Sequence, residues 1–275
     1  MHYHYRLHGK KPYSLVLLHG GPGAWGEMHS LALELKDNFG IIEPFQLQTS
    51  LNCQLDELYS IITKTVSSPV ILVGFSWGAW LAYLFAARYS NENIVSKLIL
   101  IGSGPYTHEY YLELVKNRRE RMNDSQQELS TKLFSELRDP TIENKETILL
   151  DVGRLYHQID QYDPEPFKFE EFLELPFSSK GIYRTKYFNE CLNEVMAMRK
   201  SGELLDFASK ITIPVVAIHG DYDPHPADGV IETLRTKLSN FRWHLLQKCG
   251  HKPWQEKQAK ELFFSILQRE IHSNN

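Results

Sequence analysis

The sequence is poor in cysteine and has no strong excess of charge of either sign. Its three cysteines, Cys53, Cys191 and Cys249, are widely spaced and odd in number, which argues against a disulfide framework and leads us to expect reduced thiols. The formal net charge is -4 and no long basic run occurs, so the positive patch that nucleic acid or an anionic membrane would need is missing. We therefore expect a small molecule as the partner, and neither nucleic acid nor a membrane.

Long apolar runs are also missing. No apolar stretch approaches the roughly 20 residues that span a bilayer, and the opening MHYHYRLHGKKPY lacks the charged tip and apolar centre of a secretory leader. We expect a cytoplasmic protein. Its 275 residues, of which 42% are hydrophobic, are sufficient for one large globular core.

Short apolar runs alternate with amphipathic patterns in the first hundred residues. The runs SLVLLHG (14–20), GIIEPF (40–45), PVILVG (69–74) and KLILIGSG (97–104) are rich in Val, Ile and Leu, which is typical of strands buried on both faces of a parallel sheet. In residues 51–66 the apolar side chains recur at spacings of three and four, which predicts a helix with one face against that sheet. The alternation predicts a doubly wound, mostly parallel α/β fold.

The strand signals fade between residues 105 and 210, where helical patterns dominate. After this stretch the first pattern returns, with strands predicted at ITIPVVAIHGD (211–221) and FRWHLLQK (241–248) and a terminal amphipathic helix at 252–271. We therefore expect an α/β core made of residues 1–104 and 211–275, interrupted by a helical cap at 105–210.

The segment GFSWGAW, residues 74–80, places Ser76 where the run PVILV ends and the helical pattern LAYLFAARYS begins. A G-x-S-x-G sequence between a strand and a helix is typical of a nucleophile elbow, a turn sharp enough to hold the serine in a strained conformation. Gly74 and Gly78 omit the side chains that would clash in such a turn. We predict that Ser76 is a nucleophile rather than a simple turn residue.

A serine hydroxyl needs a base at neutral pH and a carboxylate to orient that base. His251, in KCGHKPW, follows the last predicted strand on a glycine-led loop, and HGDYDPHP at the end of the preceding strand offers Asp221 and Asp223. We choose Asp223 because it has a longer run of loop to bring its carboxylate round to the histidine. Asp221 is expected to bond the loop backbone, and an exchange of the two roles stays open.

Acyl transfer also needs hydrogen-bond donors for the developing oxyanion. HGGPG, residues 19–23, ends the first strong strand, and its glycines let backbone N–H groups approach a substrate closely. We predict the N–H groups of Gly21 and Trp77 as the two donors.

HGGPG, GFSWGAW, HGDYDPHP and CGHKPW, in this order, resemble the α/β-hydrolase superfamily, and the pairing of HGGPG with G-x-S-W-G is most similar to proline iminopeptidases. The resemblance implies an α/β-hydrolase fold, a Ser76, Asp223 and His251 triad, an oxyanion hole at Gly21 and Trp77, and no cofactor. The Asp-Gln-Arg-Gly loop usual in those peptidases is replaced here by IIEPFQLQTS (41–50).

Those peptidases also use acidic residues of the cap to hold a free amino group. This predicted cap contains Glu113, Glu165, Glu170, Glu171 and Glu174, but charged helices usually present solvated faces, so no binding carboxylate is selected. The aromatic residues Trp25, Trp77, Trp80, Tyr106, Tyr110 and Tyr111 have two interpretations, either the wall of an apolar cleft or ordinary packing.

Serine at position 76 indicates an acyl-enzyme, whereas a dehalogenase or an epoxide hydrolase of this superfamily would need aspartate there. HGGPG lacks the Lys and Ser/Thr of a phosphate-binding loop, and no metal-ligand spacing is evident. We expect a hydrolase of small esters or amides, either a proline iminopeptidase-like aminopeptidase or a carboxylesterase. The alternative is a catalytically silent member that binds a ligand in the cleft under the cap.

Overall fold

The computed structural model describes residues 4–139, 141–143, 145–166 and 184–273, with the side chains of 184–188 left out. Within these ranges seven strands form a single sheet, in the order β1-β3-β2-β4-β5-β6-β7. The strands are β1 (Tyr5–His8), β2 (Tyr13–Leu18), β3 (Gly40–Pro44), β4 (Val70–Phe75), β5 (Val95–Ile101), β6 (Val215–Gly220) and β7 (Phe241–Leu246). Only β1 runs antiparallel to its neighbour among them. The predicted doubly wound, mostly parallel sheet is confirmed.

Helices cover the sheet and make up most of the described chain between β5 and β6. They are α1 (His29–Leu35), α2 (Leu51–Thr65), α3 (Trp77–Arg88), α4 (His108–Arg121), α5 (Asp124–Arg138), α6 (Glu146–Asp160), α7 (Arg184–Ser201), α8 (Glu203–Asp206), α9 (Asp228–Arg235) and α10 (Lys260–His272). In the part of the chain that is described, none of them combines the length and the apolarity needed to cross a membrane.

The sheet has an apolar layer on each face because alternate residues of a strand point to opposite sides. In β2, Val16 and Leu18 belong to the core formed with α2 and α3, whereas Leu15 and Leu17 belong to the core formed with α1 and α10. All four side chains are inaccessible to solvent. A strand buried on both faces needs a continuous apolar run, and this requirement explains the sequence SLVLL.

The helices α4 to α7 lie between β5 and β6 in the chain, where the sequence lacks strand patterns. Part of this region has a small core of its own, in which residues of α5 and α6 pack with Met122. The division into a core of 1–104 and 211–275 and a cap of 105–210 stays a prediction.

The C-terminal helix begins later than the sequence pattern indicated. α10 starts at Lys260 rather than at residue 252, and the intervening chain forms a 3-10 turn over Pro253–Gln255. Pro253 has no N–H to continue a helix into this segment. The segment instead leaves residues 250–256 free to form the loop that contains His251.

Candidate active site

Ser76 occupies a strained turn between β4 and α3. Its backbone has φ 53° and ψ -113°, a conformation that non-glycine residues rarely adopt. Its N–H donates to the carbonyl of Ile101 over 2.9 Å. A Cβ at Gly74 would overlap the carbonyl oxygen of Gly78, and one at Gly78 would overlap that of Leu18. The two glycines therefore allow the close backbone packing that keeps this turn sharp.

The loops after β6 and β7 bring Asp223 and His251 together. Asp223 Oδ2 lies 2.7 Å from His251 Nδ1, and both side chains are buried. Asp221 lies elsewhere in the loop, where its Oδ1 accepts the N–H of Cys249 over 3.1 Å. The structure thus places Asp223, and not Asp221, against the histidine.

Two further histidines surround Asp223. His225 donates to Asp223 Oδ1 from both its backbone N–H (2.9 Å) and its Nδ1 (2.7 Å), and His219 Nε2 lies 3.5 Å from Oδ2. Burial alone would raise the pKa of Asp223, but His251, His225 and His219 hold that pKa well below its usual value. Burial lowers the pKa of His225 to about 4, against the opposing attraction of Asp223. At neutral pH the carboxylate is therefore ionised and His225 is uncharged.

Sequence reasoning did not assign a role to His225. The only signal was the second histidine of HGDYDPHP, two residues after Asp223. The imidazole rings of His225 and His251 stack at 4.3 Å between centroids with an interplanar angle of 18°. Both rings are thereby fixed against the same carboxylate.

The loop of His251 is tied to the end of α6. The N–H of His251 donates to the carbonyl of Asp160 over 2.8 Å. The Asp160 carboxylate accepts from Arg118 Nη2 at 2.6 Å and Nε at 3.1 Å. The helices that follow β5 thus help to position the histidine, through the backbone of Asp160.

The HGGPG loop is fixed by buried polar groups. Gly20 N–H donates to Glu27 Oε2 over 2.9 Å, and Glu27 Oε1 lies 2.7 Å from Lys252 Nζ. Burial would raise the pKa of Glu27, but Lys252 outweighs it and lowers that pKa. Lys252 follows His251 in the chain, so one ion pair connects the HGGPG loop to the histidine loop.

The predicted oxyanion donors lie at the same opening as Ser76. Gly21 has φ +102° and lines a cavity together with Ser76 and Trp77. Trp77 is the first residue of α3, and an N–H in that position has no acceptor within its own helix. Both predicted donors therefore belong to residues that line the same cavity as Ser76.

The cavity has a volume of about 750 Å³ and lies between the loops at the strand ends and the helices α4 to α7. His251 and Ser76 both line it. Among the aromatic residues singled out in the sequence, Trp25, Trp77, Trp80 and Tyr111 contribute to its wall. Tyr106 is fully buried instead, with its ring against Tyr83. Such a volume accommodates a small organic substrate.

Two groups in the described ranges bring three potential metal ligands within 4.8 Å of one another. The first is Asp223, His225 and His251, in which the Asp223 carboxylate already accepts a hydrogen bond from the Nδ1 of each histidine. The second is His8, His29 and Glu43, in which His8 Nε2 lies 2.8 Å from Glu43 Oε2. Its members come from β1, α1 and β3, so no short spacing in the sequence reveals them.

Residues 15–264 match a family model described as the alpha/beta hydrolase family. The chain belongs to this family. A proline iminopeptidase of Lactobacillus helveticus (strain DPC 4571) is 26% identical over 276 aligned residues, which cover 92% of this chain and 89% of the relative. The resemblance to the α/β-hydrolase superfamily that the motifs indicated is therefore confirmed.

Solved structures of α/β hydrolases share the fold at low identity. VinJ has a TM-score of 0.73 and 18% identity, with 98% of this chain and 95% of VinJ covered. The proline iminopeptidase of Mycobacterium smegmatis has a TM-score of 0.70 and 18% identity, with 98% and 94% covered. At such identities the similarity establishes the fold alone.

The acidic residues considered for an amino-group site do not converge on the cavity where they are described. Glu113 is exposed on α4, and Glu165 pairs with Lys260 at 3.0 Å on the surface. Glu170, Glu171 and Glu174 lie outside the described residues. Among the described residues, the two carboxylates that line the cavity, Glu27 and Asp160, are each paired with a cation.

Proposed function

We propose that this α/β hydrolase is a serine hydrolase that cleaves small esters or amides through an acyl-enzyme on Ser76. The observation that carries the proposal is the 2.7 Å contact between Asp223 and His251, beside a cavity that both His251 and the strained Ser76 line. The nucleophile, the orienting carboxylate and the base then follow one another along the chain in the order of this fold.

Asp223 determines which nitrogen of His251 carries the proton. Because the pKa of Asp223 is well below its usual value, its carboxylate only accepts hydrogen bonds, and His251 Nδ1 must donate. His251 Nε2 is then left unprotonated and takes the proton of the Ser76 hydroxyl as Oγ attacks the carbonyl carbon. The backbone N–H groups of Gly21 and Trp77 stabilise the resulting oxyanion.

Collapse of the tetrahedral intermediate breaks the bond to the leaving group, which receives the proton held on His251 Nε2. Water then attacks the acyl-enzyme, with His251 accepting a proton from the water and returning one to Ser76 Oγ. The products are a carboxylic acid and an alcohol or an amine. Apart from the substrate and this water, every group that the cycle uses belongs to the chain itself.

Two substrate classes fit this chemistry. The similarity to proline iminopeptidases favours aminoacyl amides, whereas the pairing of Glu27 and Asp160 with cations leaves no spare carboxylate for an amino group among the described cavity residues. We therefore place carboxyl esters ahead of free-amino substrates. Rates of hydrolysis of prolyl and other aminoacyl 4-nitroanilides, compared with those of short and long 4-nitrophenyl esters, separate the two classes. Faster hydrolysis of prolyl amides than of esters would show that free-amino substrates are preferred.

A fluorophosphonate probe tests the nucleophile. We expect one adduct on Ser76 in the wild-type protein and none in Ser76→Ala. Ser130→Ala is the matched control, because this serine lines the same cavity and its loss should leave the adduct in place. Folded wild-type protein that forms no adduct would instead indicate the silent member that only binds a ligand.

A further inference from the structure

Arg199 is a buried cation in the wall of the cavity that Ser76 lines. It lies near the end of α7 with 2% of its surface exposed. Its guanidinium lies over the ring of Tyr111, 4.0 Å from the centroid, and over that of Trp80 at 5.3 Å. Nη2 contacts the sulfur of Met196. The aromatic rings hold the guanidinium in place but provide no negative charge.

No carboxylate pairs with Arg199 among the described residues. Its Nε is inaccessible to solvent and has no hydrogen-bond partner. Burial lowers the pKa of Arg199 to about 10, with Tyr111 acting in the opposite direction, so the side chain stays charged at neutral pH. A buried charge without a counter-ion is costly and needs an explanation.

Two other cations of the described cavity wall, half-buried Arg118 and buried Lys252, are neutralised. Arg118 pairs with Asp160 at 2.6 Å and Lys252 pairs with Glu27 at 2.7 Å. Arg119 and Arg138 also line the cavity, are exposed, and have no carboxylate partner in the described ranges. The described wall therefore carries a net positive charge, although the whole chain has a formal net charge of -4. A concave site with this surplus attracts anions.

We propose that Arg199 binds a carboxylate carried by the substrate, so that the preferred substrates are acidic esters or amides. One guanidinium matches one carboxylate in charge and in its paired N–H donors. The proposal rests on the proposed serine hydrolase function. The proposed substrate group is negatively charged, whereas the amino group that an aminopeptidase binds is positively charged.

The carboxylate site lies within reach of the nucleophile. Trp80 on α3 is four residues after Ser76, which is about one helical turn or roughly 6 Å along the axis. The rings of Trp77 and Trp80 are in edge contact at 6.5 Å, and Arg199 lies over Trp80. A substrate whose carbonyl is at Ser76 can therefore extend past Trp77 to the guanidinium.

Paired substrates of equal length test the proposal. The mono-4-nitrophenyl esters of succinic, glutaric and adipic acids place a carboxylate on the acyl side, and acetoxybenzoates place it on the leaving group. The neutral partners of equal acyl length are the 4-nitrophenyl esters of butanoic, pentanoic and hexanoic acids, and phenyl acetate is the neutral partner of the acetoxybenzoates. We expect a higher kcat/KM for at least one carboxylate series than for its neutral partner, with a maximum at one chain length.

The variants are Arg199→Met, Arg199→Lys and the control Lys200→Met, which removes the same charge from the exposed neighbouring position. We expect Arg199→Met to lose about 10- to 100-fold in kcat/KM on the carboxylate substrates, mostly through KM. Neutral esters should change by less than about 3-fold. Arg199→Lys should retain part of the preference and Lys200→Met all of it.

If Arg199→Met loses kcat/KM equally on the carboxylate and the neutral substrates, the role of Arg199 is structural and the proposal is wrong. The proposal is also wrong if the wild-type protein prefers neutral or aminoacyl substrates. Fluorophosphonate labelling separates these results from a failure of the hydrolase function, because a labelled enzyme without carboxylate preference defeats only the assignment of Arg199. If Arg199→Met does not fold, inhibition of the wild type and of Arg199→Lys by glutarate provides the test. If glutarate does not inhibit the wild type, or inhibits the wild type and Arg199→Lys equally, Arg199 does not bind the carboxylate.

Discussion

Asp223 bonds His225 through one carboxylate oxygen and His251 through the other. Oδ1 accepts the backbone N–H and the Nδ1–H of His225, whereas Oδ2 lies 2.7 Å from His251 Nδ1. The two contacts to Oδ1 fix the plane of the carboxylate. His225 therefore determines how Asp223 presents Oδ2 to His251, and it is a positioning residue for the proposed reaction.

Replacing His225 should slow hydrolysis without abolishing it. His225→Phe keeps a ring against His251 but loses the side-chain hydrogen bond to Asp223, and we expect kcat to fall about 10-fold. His225→Gln keeps a donor and loses the stacked ring, so its kcat should lie closer to that of the wild type. Steady-state kinetics on one neutral ester measures both.

The roles of the two aspartates lead to a second prediction. Asp223→Asn cannot hold the proposed tautomer of His251, and kcat should fall about 10³- to 10⁴-fold while the fold persists. Asp221→Asn changes only the acceptor of the Cys249 N–H and should cost less than about 10-fold. Circular dichroism checks the fold of both variants. A larger loss in Asp221→Asn would reverse our assignment.

The sheet was predictable because its strands are buried on both faces. A strand such as SLVLL needs a continuous apolar run, and GFSWGAW needs glycine on both sides of Ser76 to allow close backbone packing. Both constraints act on residues that are close together in the sequence, so the sequence alone predicts them. By contrast, β1 has four residues at the sheet edge and α1 has seven, too few for a periodic pattern to stand out.

The long-range contacts around the candidate site could not be predicted from the sequence in the same way. Lys252 and Glu27 are 225 positions apart, and their pairing follows from the docking of two loops. Arg199 belongs to a helix of mixed charge, and nothing in its neighbours distinguishes a buried arginine from a solvated one. The environment of these residues depends on segments that are distant in the sequence, and local composition does not predict it.

The ion pair between Lys252 and Glu27 should stabilise the folded protein. Lys252→Met leaves the carboxylate of Glu27 buried without its cation, at a cost of about 3 kcal/mol in the free energy of unfolding. The double variant Lys252→Met with Glu27→Gln should recover part of that loss, since no isolated charge then remains. Urea titrations of the three proteins provide the values, and equal stability of the single variant and the wild type would contradict the prediction.

Gly78 should not tolerate a side chain. A Cβ there would overlap the carbonyl oxygens of Leu18 and His19, so Gly78→Ala should lower the free energy of unfolding by about 3 kcal/mol or more. Gly202 provides the contrast, since a Cβ there meets nothing within 4 Å and only its φ of +90° opposes alanine. Gly202→Ala should cost about 1 kcal/mol. Thermal unfolding of both variants tests the difference.

Glu57 should make the protein less stable as the pH rises from about 4.5 to 7. Burial raises the pKa of this α2 carboxyl to about 7, against the opposing effect of hydrogen bonds from the backbone of Leu47 and Gln48. Between the ordinary pKa of 4.5 and the raised value, the folded state holds a proton that the unfolded state has released, so folding is favoured at the acidic end of that window and loses stability through it.

Above pH 7 both states are ionised, and the full cost of the buried carboxylate, up to about 3 kcal/mol, is present. Glu57→Gln removes this titration, so the variant should gain stability relative to the wild type at pH 8 and match it closely at pH 4. Glu34→Gln, at an exposed position of α1, is the control and should leave the pH dependence unchanged. Urea titrations at pH 4 and pH 8 measure the stability of the three proteins. If the stability difference between Glu57→Gln and the wild type is the same at both pH values, burial does not raise the pKa of Glu57.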